Sequence, residues 1–229
     1  MKINRGSEKK ISLCIQNEGL SLFLTALLRE WGFCVNPTCP EHPDELLLAE
    51  ENCSHCAAHR KRIDLINSAY FDSDQVNRPI AIEQLWRVLE KHYHLPPRHH
   101  LRLSVDLPIG MEIRGQEQPG RLTNLSPAGA RLSLPRELAS GELFPIVLPL
   151  AQRTLQLTAK IIYINTFPDR DNRYDAGILF ERISSEDKAL LRGTITLTVF
   201  SSIRQQLPRW AFEVGINQFD LSPELRQQL

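Results

Sequence analysis

The chain has 229 residues and 26.2 kDa, room for two ordinary domains, and its 42% hydrophobic and 24% charged residues are a globular composition. No apolar run approaches the roughly 18 residues of a membrane-spanning helix. Lys plus Arg (27) equals Asp plus Glu (27), which excludes a protein that coats long nucleic acid by counterion release; any nucleotide ligand is expected to be small.

The first ten residues, Met1 to Lys10, lack the apolar stretch of a signal peptide, so a cytoplasmic location is expected. Lys10 to Gln16 alternates with period 2 and reads as a strand. Leu20, Phe23, Leu24, Leu27, Leu28 and Trp31 then form the stripe of an amphipathic helix, stopped at Gly32. Phe33 to Val35 returns as a strand, giving a βαβ opening. Asp44 to Ala49 and Arg62 to Asn67 are short apolar runs of the kind that buried parallel strands show. Ile82, Leu85, Trp86, Leu89 and Tyr93 mark a second helix, and Pro96-Pro97 ends it and serves as a linker.

Beyond the prolines the pattern changes to closely spaced strands: 120–126, 128–134, 143–150, 154–165 and 174–181, with turns at 127–129, 139–141 and 168–172. This favours an antiparallel barrel or sandwich. Ser184-Ser185-Glu186-Asp187 reads as a helix start, although Gly193 and the β-branched stretch Thr194 to Val199 oppose a long helix. Trp210, Phe212 and Phe219 give the tail more apolar area than a free segment exposes, so it is expected to pack on something.

An odd number of cysteines, five, argues against a disulfide framework. Cys39, His42, Cys53 and Cys56 form C-x2-H-x10-C-x2-C, a spacing that tetrahedral zinc accepts. A strand-like run inside the connecting loop weighs against it, and the expectation is no metal, with unrelated surface thiols. A redox role for Cys53 and Cys56 lacks the adjacent helix pattern of a thioredoxin motif. His92, His94, His99 and His100 are read as solvated imidazoles beside the linker. No nucleophile elbow, P-loop or H-E-x-x-H motif occurs, so no enzyme is expected.

After the linker, Arg98 and Arg102 stand four residues apart, and guanidinium forks can grip phosphate and stack on a purine face. Asn124-Leu125-Ser126-Pro127-Ala128-Gly129 follows. On a strand Asn124 and Ser126 share a face, and Gly129 lets a ligand approach the backbone.

Arg98-x-x-x-Arg102 with Asn124-x-Ser126-x-x-Gly129 resembles the PilZ domain family of cyclic di-GMP receptors, over about residues 96–205, including a late strand Asp175-x-Gly177-x-x-Phe180. The resemblance implies a six-stranded antiparallel β-barrel with a C-terminal helix. It also implies a ligand site of Arg98 and Arg102 on a mobile linker, with Asn124, Ser126, Gly129 and Gly177 on the barrel. Pro97 stands where members that take a stacked ligand dimer often carry Arg, so one ligand per site is expected. Ala130 replaces a frequent second glycine.

Residues 1–95 resemble a shortened, degenerate response-regulator receiver. Its chemistry is absent: Gln16-Asn17, Ala49 and Arg78 occupy the acidic-pair, acceptor and Lys positions, and only Ser68 fits. No phosphorylation is expected.

The whole is thus expected to be an α+β two-domain chain: a receiver-like α/β domain (1–95), a PilZ barrel (96–206) and a tail (207–229). The function expected is a non-enzymatic cyclic di-GMP receptor, without cofactor, that signals to a protein partner. The alternative is a protein-interaction adaptor, zinc-stabilised or not, whose barrel does not use nucleotide.

Overall fold

The computed structural model describes residues 9–40, 44–51, 53, 56, 59–68, 72–96, 98–134, 138–151, 153–166 and 174–229. His42, Pro97 and the turn expected at 168–172 lie outside them. The chain divides into two compact units, one of Met1–His99 with Leu197–Leu229 and one of His100–Thr196. The sequence-based boundaries at 95/96 and 206/207 do not separate the C-terminal residues in this way.

The first unit holds a five-stranded parallel sheet. Its strands are β1 (Lys10–Cys14), β2 (Cys34–Asn36), β3 (Leu46–Glu50), β4 (Arg62–Ile66) and β5 (Gln75–Asn77), in the order β2-β1-β3-β4-β5. That order is the flavodoxin-like, doubly wound one, with its reversal at β1 and β3. Helix α1 (Glu18–Glu30) makes the expected βαβ crossover, its first turn capped by Asn17, whose Oδ1 accepts from the Leu20 N–H at 2.9 Å. Helix α2 (Ile82–Glu90) follows β5, a strand that sequence reading missed because only Val76 of its three residues is apolar.

The C-terminal residues complete this unit. Helix α3 (Ser185–Gln206) runs without interruption through Gly193 and the β-branched stretch, and contributes its residues from Leu197 onward to the first unit. Leu191, Ile195, Val199 and Ile203 recur every four residues and are buried, so packing overrides the weak local propensity. Helices α4 (Arg209–Ile216) and α5 (Pro223–Gln228) follow. The Phe23 ring of α1 lies 5.7 Å from Phe200, 5.7 Å from Phe212 and 5.2 Å from Phe219. The tail does pack, as its aromatic content suggested, and Ile80 bridges Phe219 in parallel.

The second unit is a closed six-stranded barrel in the order β10-β11-β8-β7-β6-β9. Its strands are β6 (Leu103–Ile113), β7 (Gln116–Ser126), β8 (Gly129–Leu134), β9 (Leu143–Pro149), β10 (Thr154–Thr166) and β11 (Tyr174–Glu181). All consecutive pairs are antiparallel, and Met111 opposite Ile146 closes the ring between β6 and β9. Strand β6 escaped the alternation pattern because Pro108 and Gly110 interrupt it. The β6–β7 hairpin turns through Arg114 (φ 53°) and Gly115 (φ 73°), the two left-handed residues of a type I′ turn.

Candidate functional site

The β7–β8 hairpin carries the strand motif. Ser126 faces Gly129 in register across the two-residue loop Pro127-Ala128, and its Oγ donates to the Gly129 carbonyl at 2.9 Å. Ala128 is itself held by β11, whose Phe180 N–H donates to its carbonyl at 2.9 Å. A Cβ on Gly129 would fall 2.1 Å from the Ile178 carbonyl oxygen, so glycine here is required by the close approach of β8 and β11. Ser126 is buried and closes the turn, and Asn124 is half-buried.

Register extends Asn124 into a row across the barrel. Ser104, Asn124, Arg131, Gly177 and Tyr163 are successive Cα partners on β6, β7, β8, β11 and β10, and directly opposed residues share a face. Ser104, Arg131 and Tyr163 are exposed, which makes this the outer wall. A bulge at Thr123 shifts the register, which is why sequence spacing alone did not bring Arg131 into the set. Arg131 donates from Nε to Asp175 Oδ1 at 2.6 Å and pairs with the second carboxylate oxygen as well; this bond pushes its already high pKa further up. At Gly177 a Cβ would meet the Tyr163 ring at 2.1 Å, so the glycine makes room for the tyrosine.

The two linker arginines fall in different units. Arg102 is exposed, immediately before β6. Arg98 belongs to the first unit, where its guanidinium lies 3.8 Å from Oε2 of Glu90. Glu90, the last residue of α2, is fully buried and gathers basic side chains: Lys9 bonds its Oε1, and His94 Nε2 lies 3.1 Å from Oε2. Lys9 in turn sits over the rings of Phe33 and Trp86, at 5.0 and 5.6 Å from their centroids.

A second cluster occupies the carboxyl edge of the parallel sheet. Cys39, Cys53 and Cys56 of the C-x2-H-x10-C-x2-C spacing come together, and they are joined by Cys14, the last residue of β1. Sequence reading treated Cys14 as one position of an alternating strand and so missed it. All four Sγ atoms lie within 4.8 Å of one another; Cys14 is 2.7 Å from Cys53 and 2.9 Å from Cys39, and Cys39 is 3.0 Å from Cys56. Cys53 and Cys56 are buried against Leu47 and Ala49, so the expectation of unrelated surface thiols does not describe them. Burial, reinforced by the neighbouring thiols, pushes Cys14 well up and Cys56 to about 12. At Cys53 burial acts in the same sense but is outweighed by hydrogen bonds from Cys14 and Cys56, and the thiol lies below its usual value.

Along the same edge Arg78 binds Glu50 Oε1 at 2.8 Å, and Glu50 Oε2 accepts from the Gln16 N–H at 2.8 Å. Ala49 is buried within β3.

Residues 96–196 match the family model of the PilZ domain, and this part of the chain is a PilZ domain. The match does not extend to the parallel sheet. Among solved structures, the PilZ domain of YcgR from Escherichia coli with c-di-GMP is 22% identical; the alignment covers 48% of this chain and 95% of that one, at a TM-score of 0.39. The Bacillus subtilis inhibitor of motility MotI/DgrA is 20% identical over 49% of this chain and 52% of its own, at 0.37. The K. pneumonia MrkH–c-di-GMP complex is 14% identical over 47% and 55%, at 0.41. The chain thus spans about half the length of these last two proteins. No curated protein matches it. No helix among the described residues is long and apolar enough to cross a membrane.

Proposed function

We propose that the chain is a non-enzymatic receptor for cyclic di-GMP. Arg98 and Arg102 supply guanidinium groups to guanine and phosphate, and the barrel wall at Asn124, Ser126, Gly129 and Gly177 supplies the surface against which the ligand rests. The observation that carries this reading is that one PilZ domain, residues 96–196, contains both Arg98-x-x-x-Arg102 and Asn124-x-Ser126-x-x-Gly129. The outward row adds Arg131 and Tyr163, a cation and an aromatic ring of the kind that grips phosphate and stacks on purines. Ligand binding signals by favouring one arrangement of the chain over another, toward a protein partner, and its effect is limited by its differential affinity for the two.

Isothermal titration calorimetry with cyclic di-GMP tests this. Binding is expected with one ligand per chain, abolished by Arg98→Glu or Arg102→Glu without unfolding and weakened by Ser126→Ala. No binding by the unaltered chain at about 10–100 µM ligand overturns it.

A second reading, a protein-interaction adaptor that uses no nucleotide, is favoured by one observation: the wall is internally satisfied. Ser126 bonds Gly129, Arg131 bonds Asp175, and Tyr163 covers Gly177. Partner capture unchanged by cyclic di-GMP, together with a silent titration, selects this reading.

A further inference from the structure

We propose that Cys14, Cys39, Cys53 and Cys56 bind one structural zinc ion as a tetrathiolate. The inference is independent of the nucleotide reading, since all four residues lie in the first unit.

The argument begins with geometry. Zinc held by four thiolates has arms of about 2.3 Å, so the sulfurs stand about 3.8 Å apart along the edges of a tetrahedron. Here every sulfur lies within 4.8 Å of every other, a span that one ion bridges. The close contacts run as a chain, Cys53 to Cys14 to Cys39 to Cys56, at 2.7, 2.9 and 3.0 Å, so Cys14 and Cys39 each have two sulfur neighbours. Two disulfides would instead leave two isolated pairs, each bonded at about 2.05 Å. Tetrahedral all-sulfur coordination selects zinc or iron over harder cations. The fifth thiol, Cys34, is exposed on β2 and outside the group, which explains the odd cysteine count.

Topology places the ligands where a sheet of this order binds things. Cys14 ends β1, Cys39 follows β2, and Cys53 and Cys56 follow β3; these are three neighbouring strands, and the site lies beyond their carboxyl ends at the reversal of strand order. A parallel sheet is ordinarily covered by a helix in each crossover. The described residues of the β2–β3 and β3–β4 connections contain no α-helix, and these two connections carry three of the four thiols. The ion cross-links segments that helix packing would otherwise hold.

The surroundings support the ligands. Arg62 donates from Nη1 to the Cys53 carbonyl at 3.2 Å and from Nη2 to the Glu50 and Glu51 carbonyls at 3.3 and 3.4 Å, and its Nε is fixed on Asp64 at 2.6 Å. One guanidinium thereby clasps the turn that presents Cys53, an outer shell of the kind that orients metal ligands. Binding converts four thiols and Zn²⁺ into a tetrathiolate of net charge −2 and releases four protons to solvent.

The test uses the full chain, purified under reducing conditions, loaded with Zn²⁺ and challenged with a chelator before elemental analysis. One zinc per chain is expected. Cys14→Ser is expected to lower the retained zinc to less than about a tenth of this, while Cys34→Ser and His42→Ala retain it. If Cys14→Ser fails to fold, Co²⁺ titration of the unaltered chain decides, through the intense thiolate-to-cobalt charge transfer and visible bands of a tetrahedral four-sulfur site. Full zinc retention by Cys14→Ser, an unaltered chain that takes up no zinc, iron at unit occupancy, or a cobalt spectrum of three sulfurs and one nitrogen would each overturn the assignment.

Discussion

The Ser126 hydroxyl closes a hairpin, and Gly129 gives way to the Ile178 carbonyl, so two motif residues serve the barrel before they serve any ligand. Their spacing was readable because a two-residue hairpin fixes both positions locally. Arg131 and Tyr163 were not readable, since their place beside Asn124 depends on a bulge and on pairings with β10 and β11, many residues away. Arg98 was readable as a cation but not as a partner of Glu90, a contact that arises only because α2 buries that carboxylate. A phosphate ligand must compete with Glu90 for this guanidinium. Arg98 is part-exposed and its guanidinium is 3.8 Å from the carboxylate, a loose contact worth about 0.5–1 kcal/mol, so Glu90→Gln is expected to tighten cyclic di-GMP binding by about two- to fivefold. The amide can still accept from Lys9, but the loss of the buried charge opposite that ammonium is expected to lower the stability of the first unit. Calorimetry on the variant checks this; unchanged or weaker binding would show that the Arg98–Glu90 contact does not restrain the linker.

At the scale of elements, α1 and α4 approach through glycines. A Cβ on Gly215 would lie 2.2 Å from Cγ of Phe23, and one on Gly19 would lie 2.8 Å from Val214. The Phe23 ring cannot retreat, because Phe200, Phe212 and Phe219 surround it. Gly215→Val is therefore expected to destabilise the first unit by about 1–3 kcal/mol through overpacking, read as a lower thermal midpoint. A midpoint unchanged within error would mean that the helices separate without cost. The helical stripes of α1 and α2 and the runs of β1, β3 and β4 were legible because one face or both are apolar. The uninterrupted α3 was not, since Gly193 and five β-branched residues between 194 and 199 oppose it locally and only burial decides.

At the scale of the whole molecule, the first unit is discontinuous, with the second inserted between its halves. No composition or periodicity signal marks this, because it depends on which aromatic side chains meet. Removing residues 207–229 would take Phe212 and Phe219 from the cluster around Phe23. Deletion is expected to raise amide exchange in β1 to β5 while leaving β6 to β11 protected, as measured by hydrogen–deuterium exchange. Equal loss in both units, or in neither, would contradict the division.

That division also sets an order of events during synthesis. A ribosome adding about 5–20 residues per second needs on the order of 10–40 s to pass from Phe23 to Phe212. The barrel's strands are all translated within that interval, while the Phe23 side of α1 waits for aromatic partners still to come. The aromatic side of that helix therefore stays without its last cover throughout the making of the chain's own middle.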